Sequence, residues 1–177
     1  FIRIGVNADS IQIAENSIKE AKKNNLEVSL NLMKSYILSP SELAKSSYQL
    51  QEMGADTICV VDSAGGMTPD QVKRYIGAVT KKISREVGFH GHNNLGFATA
   101  NAYKAIKLNF DIVDASLQGY GRSAGNTAIE LLVCALKKNN IDCKIDYIKI
   151  LDLSEEVLLK FVKSKGIKSI DAVCGMS

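Results

Sequence analysis

The sequence contains no tryptophan, and only two prolines and two histidines occur among its 177 residues. The eleven other aromatic residues, six tyrosines and five phenylalanines, give little support for a surface on which nucleic-acid bases stack. The net charge of +3, from 22 basic and 19 acidic residues, is too small to attract nucleic acid or an anionic membrane. No apolar run reaches the roughly 18 residues of a membrane span. We therefore expect neither nucleic acid nor a membrane as a partner.

The four cysteines show none of the C-x-x-C spacing typical of zinc or redox sites. They are Cys59, Cys134, Cys143 and Cys174. Cys59 lies in a strand-like apolar run and Cys134 in a helical one, so both are expected to be small buried side chains in a reducing, cytoplasmic protein. No signal peptide is visible. The chain opens directly on a strand pattern at Phe1 without an initiator methionine, and we expect a fragment or a processed chain.

Strand-like and helical patterns alternate along the first 140 residues. The five predicted strands are Phe1–Asn7, Leu26–Leu32, Thr57–Val61, Glu86–His92 and Phe110–Leu117. Regular alternation of this kind indicates parallel strands joined by right-handed helical crossovers. After residue 140 only helical segments are predicted. The sequence therefore predicts an α/β region over 1–140 and the start of a helical C-terminal region over 141–177.

Two architectures satisfy this pattern. One is a partial (β/α)8 TIM barrel containing units 4–8, because a unit takes about 30 residues and the last strand is followed by a glycine-rich loop. The other is a doubly wound, five-stranded parallel sheet. The second would call for a glycine fingerprint after its first strand, and the segment Val6–Asp9 does not contain one.

Both histidines lie near the end of the fourth predicted strand, two positions apart. Because side chains alternate along a strand, His90 and His92 should point to the same face. Two imidazoles at the carboxyl end of a strand can bind one divalent metal, and this end is where (β/α) barrels place their chemistry. The alternative is a pair of polar residues that form hydrogen bonds at a strand end.

Other polar residues stand at the ends of the remaining strands and would share the same edge of a parallel sheet. Asp62 could be a metal ligand, or it could accept hydrogen bonds from the amides of Gly65 and Gly66. Asn7, Ser63 and Asn126 would lie beside it. The glycine-rich loop 119–126 could cradle a phosphate or be a plain turn. Its Arg122 could bind an anionic substrate group or be solvated.

Several of these motifs together resemble a known family. They are His90–Gly96, Ala100–Asn101, Val113–Leu117, Gly125–Asn126 and Val61–Gly66. The resemblance is to the metal-dependent aldolase, lyase and acyl-synthase barrels. These include 3-hydroxy-3-methylglutaryl-CoA (HMG-CoA) lyase, isopropylmalate synthase and the 4-hydroxy-2-oxovalerate aldolases, of which the last are the most similar.

The resemblance implies a barrel that binds Mn²⁺ or Mg²⁺ through His90 and His92, with Asn126 at or near the metal. It places Ser63 near a bound 2-oxo acid. It implies cleavage of a 4-hydroxy-2-oxo acid to pyruvate and an aldehyde. It also implies that the helical C-terminal region contacts an aldehyde dehydrogenase partner.

The chain departs from the family pattern in what it does not contain. The family's first strand supplies a metal-binding aspartate beside an arginine, and a nearby histidine acts as the base. None of these is present, so no catalytic residue is assigned and we expect the isolated chain to be inactive. A C-terminal tyrosine of the aldolases would fall near Met176, where there is none. Two other functions stay open: an acyl-CoA-dependent synthase or lyase on the same barrel, and a non-catalytic binding domain.

Overall fold

A five-stranded, wholly parallel sheet forms the centre of the computed structural model, which describes residues 1–108 and 110–161. The expectation about Met176 lies outside these residues. The strands are β1 (Ile2–Asn7), β2 (Val28–Met33), β3 (Thr57–Asp62), β4 (Glu86–Gly91) and β5 (Ile112–Val113).

The strands lie in the sheet in the same order in which they occur in the sequence, and each pairs in parallel with the next. A doubly wound sheet reverses its strand order at a switch point, whereas the wall of a (β/α) barrel does not. The doubly wound alternative is therefore wrong, and the partial barrel is confirmed.

Five helices follow the five strands, and helical segments continue after them. They are α1 (Glu15–Lys23, after a 3-10 turn at Ile11–Ala14), α2 (Pro40–Glu52), α3 (Pro69–Thr80), α4 (Ala98–Lys107) and α5 (Ile129–Lys138), then α6 (Tyr147–Leu153), a π turn (Ser154–Leu158) and α7 (Leu159–Phe161). Capping boxes at Ser39 and Thr68, each followed by a proline, fix the starts of α2 and α3. None of the helices in the described part of the chain has the length and apolar character needed to cross a membrane.

The fifth strand is shorter than predicted, and the helix after it starts later. Beyond Val113 the backbone still bonds to its neighbours, because the amide of Asp114 donates to the carbonyl of Phe89 (3.0 Å). The helical pattern of the sequence starts at Asn126 and runs to Lys138, but α5 begins at Ile129. Residues 126–128 belong to the preceding loop instead, and Asn126 forms an isolated bridge with His92 there.

The two faces of the sheet differ in chemistry. The face toward the helices carries fully buried apolar side chains, among them Leu30, Ile58 and Phe89. Burial of one such side chain stabilises the fold by about 1.5–3 kcal/mol. The opposite face, which would be the inside of a barrel, carries alternate residues that are mostly small or polar. They are Arg3, Gly5 and Asn7 of β1, Ser29, Asn31 and Met33 of β2, Thr57, Cys59 and Val61 of β3, and Glu86, Gly88 and His90 of β4.

The loops after β3, β4 and β5 are bound to one another at the carboxyl edge of the sheet. The amide of Leu95 donates to the carbonyl of Gly65 (2.9 Å), and the amide of Asn93 donates to the carbonyl of Gly125 (2.9 Å). The side chain of Asn94 joins all three loops, since it donates to Ala64 (2.9 Å) and accepts from the amide of Ala124. The three loops therefore form one rigid unit beside the histidines.

Two glycines of these loops provide a matched test of this packing. Both have a positive φ, +65° at Gly65 and +78° at Gly96. A Cβ on Gly65 would lie 2.6 Å from the backbone nitrogen of Asn94, whereas a Cβ on Gly96 would meet nothing within 4 Å. Gly96→Ala should cost about 1–2 kcal/mol of unfolding free energy through backbone strain alone. Gly65→Ala should cost roughly 2 kcal/mol more, because backbone must shift. Equal losses in urea unfolding would contradict the tight contact.

The edge strands predict association of the isolated chain. β1 and β5 each have one neighbour among the described strands, and Ile2 is exposed at the free edge of β1. Unpaired strand edges recruit other chains. We expect light scattering to show self-association of the 177-residue chain, and Ile2→Lys to reduce it by placing a charge at the edge. A clean monomer over a wide concentration range would contradict the prediction.

Candidate functional site

The two imidazoles lie side by side at the carboxyl end of β4. Their ring centroids are 5.1 Å apart and their planes are inclined by 71°. As the spacing predicts, both face the polar side of the sheet, where they line one cavity of about 440 Å³ together with Asn7 and Ser63. The predicted strand ends therefore do meet at one edge.

An ion pair that the sequence analysis did not anticipate reaches His90 from the opposite edge of the sheet. Arg3 of β1 donates from Nη1 to Oδ1 of Asp114 (3.1 Å), and its Nη2 lies 2.9 Å from Oδ2. The same Oδ2 lies 2.9 Å from Nδ1 of His90. The signal was present in the sequence, since Arg3 is a charge inside an apolar strand, but nothing local shows that it meets a residue 111 positions away.

This arrangement determines how His90 presents its ring. Burial alone would raise the pKa of Asp114, but hydrogen bonds from His90 and Arg3, together with the charge of Arg3, lower it. The carboxylate is therefore an acceptor, and Nδ1 of His90 carries the hydrogen that it accepts. The lone pair of a neutral His90 ring then lies on Nε2, as it does in histidines that bind a metal through this atom.

His92 is also poised as a neutral donor. Burial, and then the nearby His90 and Arg122, lower its pKa to about 4, with the carbonyl of Gly125 acting in the opposite direction. The ring is therefore neutral at pH 7. Its buried Nδ1 has no hydrogen-bond partner among the described residues, and neither has the buried Oδ1 of Asn126. Buried polar atoms without partners are rare and call for an explanation such as a bound ion.

These donors fit a divalent metal in type. Neutral imidazole nitrogens and an amide oxygen are ligands that first-row divalent ions accept. In residues 1–108 and 110–161, however, no group of three histidine, cysteine, aspartate or glutamate side chains is arranged to hold a metal ion. The described part of the chain thus supplies two strong ligands, His90 and His92, rather than a complete site.

Asp62 accepts hydrogen bonds from loop amides, which was the alternative to a role as metal ligand. Its buried carboxylate accepts hydrogen bonds from the amides of Met67 (2.9 Å) and Gly66 (3.2 Å). In the strand register Asp62 pairs with Gly91 and not with His90, so its side chain belongs to the helix-facing side. Burial raises its pKa, although the loop amides oppose the change. Asp62 therefore organises the loop after β3, and we do not carry it into the metal site.

Ser63 connects two positively charged residues at the mouth of the cavity. Its Oγ accepts from the amide of Lys34 (2.8 Å), and its carbonyl accepts from Nη2 of Arg122 (2.7 Å). The hydroxyl hydrogen of Ser63 has no acceptor among the described residues, so it is free to donate to a ligand in the cavity. Ser63 therefore offers one hydrogen-bond donor to a ligand beside the histidines.

The contact between Asp114 and His90 predicts a ring tautomer that NMR can detect. In metal-free protein at about pH 9, long-range ¹H–¹⁵N spectra should show His90 protonated on Nδ1. Asp114→Ala removes a charge-assisted hydrogen bond and should shift the tautomer ratio toward Nε2–H by about tenfold or more. Arg3→Met is the matched control, since it keeps the carboxylate and should keep the Nδ1–H form. An unchanged ratio in Asp114→Ala would contradict the assignment.

Comparison with known proteins places this site in a family. The sequence matches the HMGL-like family over residues 4–157. It is 36% identical over 172 residues to the 4-hydroxy-2-oxovalerate aldolase of Thermomicrobium roseum, covering 97% of this chain and 48% of that protein. It is 36% identical to the oxaloacetate decarboxylase of Mycobacterium tuberculosis, covering 90% of this chain and 47% of that protein. The chain thus spans about half the length of the curated relatives it matches.

A solved structure agrees in fold. The HMG-CoA lyase of Pseudomonas aeruginosa superposes with a TM-score of 0.80 at 21% identity, over 99% of this chain and 67% of that one. Its fold matches the sequential five-stranded sheet described above. From the match over residues 4–157 and the identities to its relatives, the chain belongs to the HMGL-like family.

Proposed function

We propose that the protein carrying this chain is a carbon–carbon lyase that acts on a 2-oxo acid and uses a divalent metal, Mn²⁺ or Mg²⁺. The observation that carries the proposal is the pair His90 and His92, whose rings lie together at a strand end beside a cavity that also contains Ser63. The favoured reaction is cleavage of a 4-hydroxy-2-oxo acid to pyruvate and an aldehyde.

Five polar residues at this edge of the sheet have proposed roles. His90 and His92 would hold the metal, with Asn126 at or near it. When bound, the metal would act as a Lewis acid toward the 2-oxo acid. Ser63 would donate its hydroxyl hydrogen to the acid. Asn31 also lines this cavity, and its buried Oδ1 has no hydrogen-bond partner among the described residues. It therefore offers a further oxygen to a ligand.

No described residue is assigned as the base that an aldol cleavage needs to remove the proton of the 4-hydroxyl group. The family resemblance places that base and a metal-binding aspartate in a segment that this chain does not contain. We therefore propose that turnover requires more of the protein than these 177 residues. An aldehyde dehydrogenase that accepts the aldehyde product stays a prediction, as does a cytoplasmic location.

Decarboxylation of a 2-oxo dicarboxylic acid is a second candidate, because one relative at 36% identity is an oxaloacetate decarboxylase. Both reactions break the bond between C3 and C4 of the acid and leave the enolate of pyruvate. They differ in the group released, an aldehyde in one case and carbon dioxide in the other. Decarboxylation requires no base to break this bond, so product analysis with both substrates separates the two candidates.

The metal proposal is tested on the full-length protein. We expect elemental analysis to find about one Mn²⁺ or a similar ion per chain, and a coupled assay to detect pyruvate. His90→Ala and His92→Ala should each lose more than the ~10–100-fold that is typical of outer-shell partners, in metal affinity and in rate. Asn139→Ala, at the end of α5, is the control and should change neither. A protein that binds no divalent metal and releases no pyruvate would be a binding domain instead.

For the isolated chain we expect weak metal binding, because catalytic metal sites usually have three protein ligands and only two are described here. Calorimetric titration with Mn²⁺ measures it. Tight stoichiometric binding that is lost in His90→Ala would show that the described residues are sufficient.

A further inference from the structure

Arg122 stands at the mouth of the cavity on a loop whose backbone is fixed independently of its side chain. Its carbonyl accepts from the amide of Gly125 (2.9 Å), and the carbonyl of Gly125 accepts from Asn93 after β4 (2.9 Å). The guanidinium extends to the carbonyl of Ser63, which it contacts through one nitrogen at 2.7 Å. Arg122 is thus held over the cavity by two of the three bound loops.

The positive charge of Arg122 has no ion-pair partner among residues 1–108 and 110–161. The residues that line the cavity are neutral or cationic, and the cations among them are Lys34 and Arg122. Within the described part of the chain, no carboxylate lies within ion-pair distance of Arg122. A guanidinium has five N–H donors, and contact with Ser63 uses one of its two terminal nitrogens. The remaining donors suit the planar, two-oxygen edge of a carboxylate.

The 2-oxo acid's own carboxylate accounts for only one anion in this cavity. That carboxylate is bonded to the 2-oxo carbon, so it would lie near the metal that His90 and His92 would hold. A cavity of about 440 Å³ lies in the lower part of the range for small-molecule sites and holds more than a three-carbon acid. The substrates named for two relatives differ at the far end: 4-hydroxy-2-oxovalerate ends in a methyl group and oxaloacetate in a second carboxylate.

We infer that Arg122 is a specificity-determining residue that binds a second, distal carboxylate of the substrate, so that this protein prefers 2-oxo dicarboxylic acids over 2-oxo acids with an apolar tail. The inference rests on the proposed function, since it requires that the cavity bind 2-oxo acids. It extends that function by naming the substrate class.

A matched pair of ligands tests the inference without turnover. 2-Oxoglutarate and 2-oxovalerate have the same five-carbon chain and differ only in a terminal carboxylate or methyl group. Calorimetric titration of the Mn²⁺-loaded full-length protein should give an affinity for 2-oxoglutarate that is about tenfold to a hundredfold higher, the range of a charge-assisted hydrogen bond. Arg122→Gln should reduce this ratio to about two or less while changing the affinity for 2-oxovalerate by less than about threefold.

Two further variants serve as controls. Arg122→Lys keeps the charge without the two-pronged geometry and should retain part of the preference. Arg74→Gln removes an arginine of α3 that does not line this cavity, and it should leave both affinities unchanged. Circular dichroism checks that each variant is folded.

Different failures of this experiment have different meanings. Equal affinities for the two acids in the unmodified protein, or a preference that survives in Arg122→Gln, would overturn the inference and leave the proposed function standing. Binding of neither acid to the metal-loaded protein would overturn both.

Discussion

The ion pair between Arg3 and Asp114 is the interaction on which the geometry of the site depends. It joins the polar faces of the first and last strands, which share no backbone hydrogen bonds with each other. The side chains are only 36% and 22% exposed, so removal of one partner would leave the other charge partly buried, at a cost beyond that of a surface pair. Because the same carboxylate contacts His90, Asp114 connects the first strand of the sheet to the orientation of a proposed metal ligand.

The two faces of the sheet have different roles. One carries the apolar core, and the other carries the proposed site. The buried side chains of the helix-facing side include Leu30, Ile58 and Phe89. Most residues on the opposite side are small or polar. A Cβ on Gly88 would lie 3.3 Å from Sγ of Cys59, so this part of the interior has no room to grow. Burial raises the pKa of the Cys59 thiol to about 12, which makes it a packing residue rather than a nucleophile.

Most of the fold could be predicted from the sequence because the signals are local. The alternation of periods two and 3.6 determines the strands and helices, and the spacing of His90 and His92 determines their common face. The partnership of Arg3 and Asp114 could not be predicted, since it depends on how strands at opposite edges of the sheet approach each other. The direction of Asp62 was ambiguous because a strand end can turn either way. The short length of β5 could not be predicted either, since the other edge strand, β1, has six residues.

The loop that carries Arg122 is anchored through main-chain atoms: Asn126 donates to Gly119 (2.8 Å), Gly125 to Arg122, and Asn93 to Gly125. The identity of the side chain at position 122 plays no part in these bonds. A single substitution there can alter what stands over the cavity while the imidazoles and their support stay in place. The proposed determinant of substrate preference can therefore change by a point substitution at position 122 without loss of the backbone bonds that hold the loop.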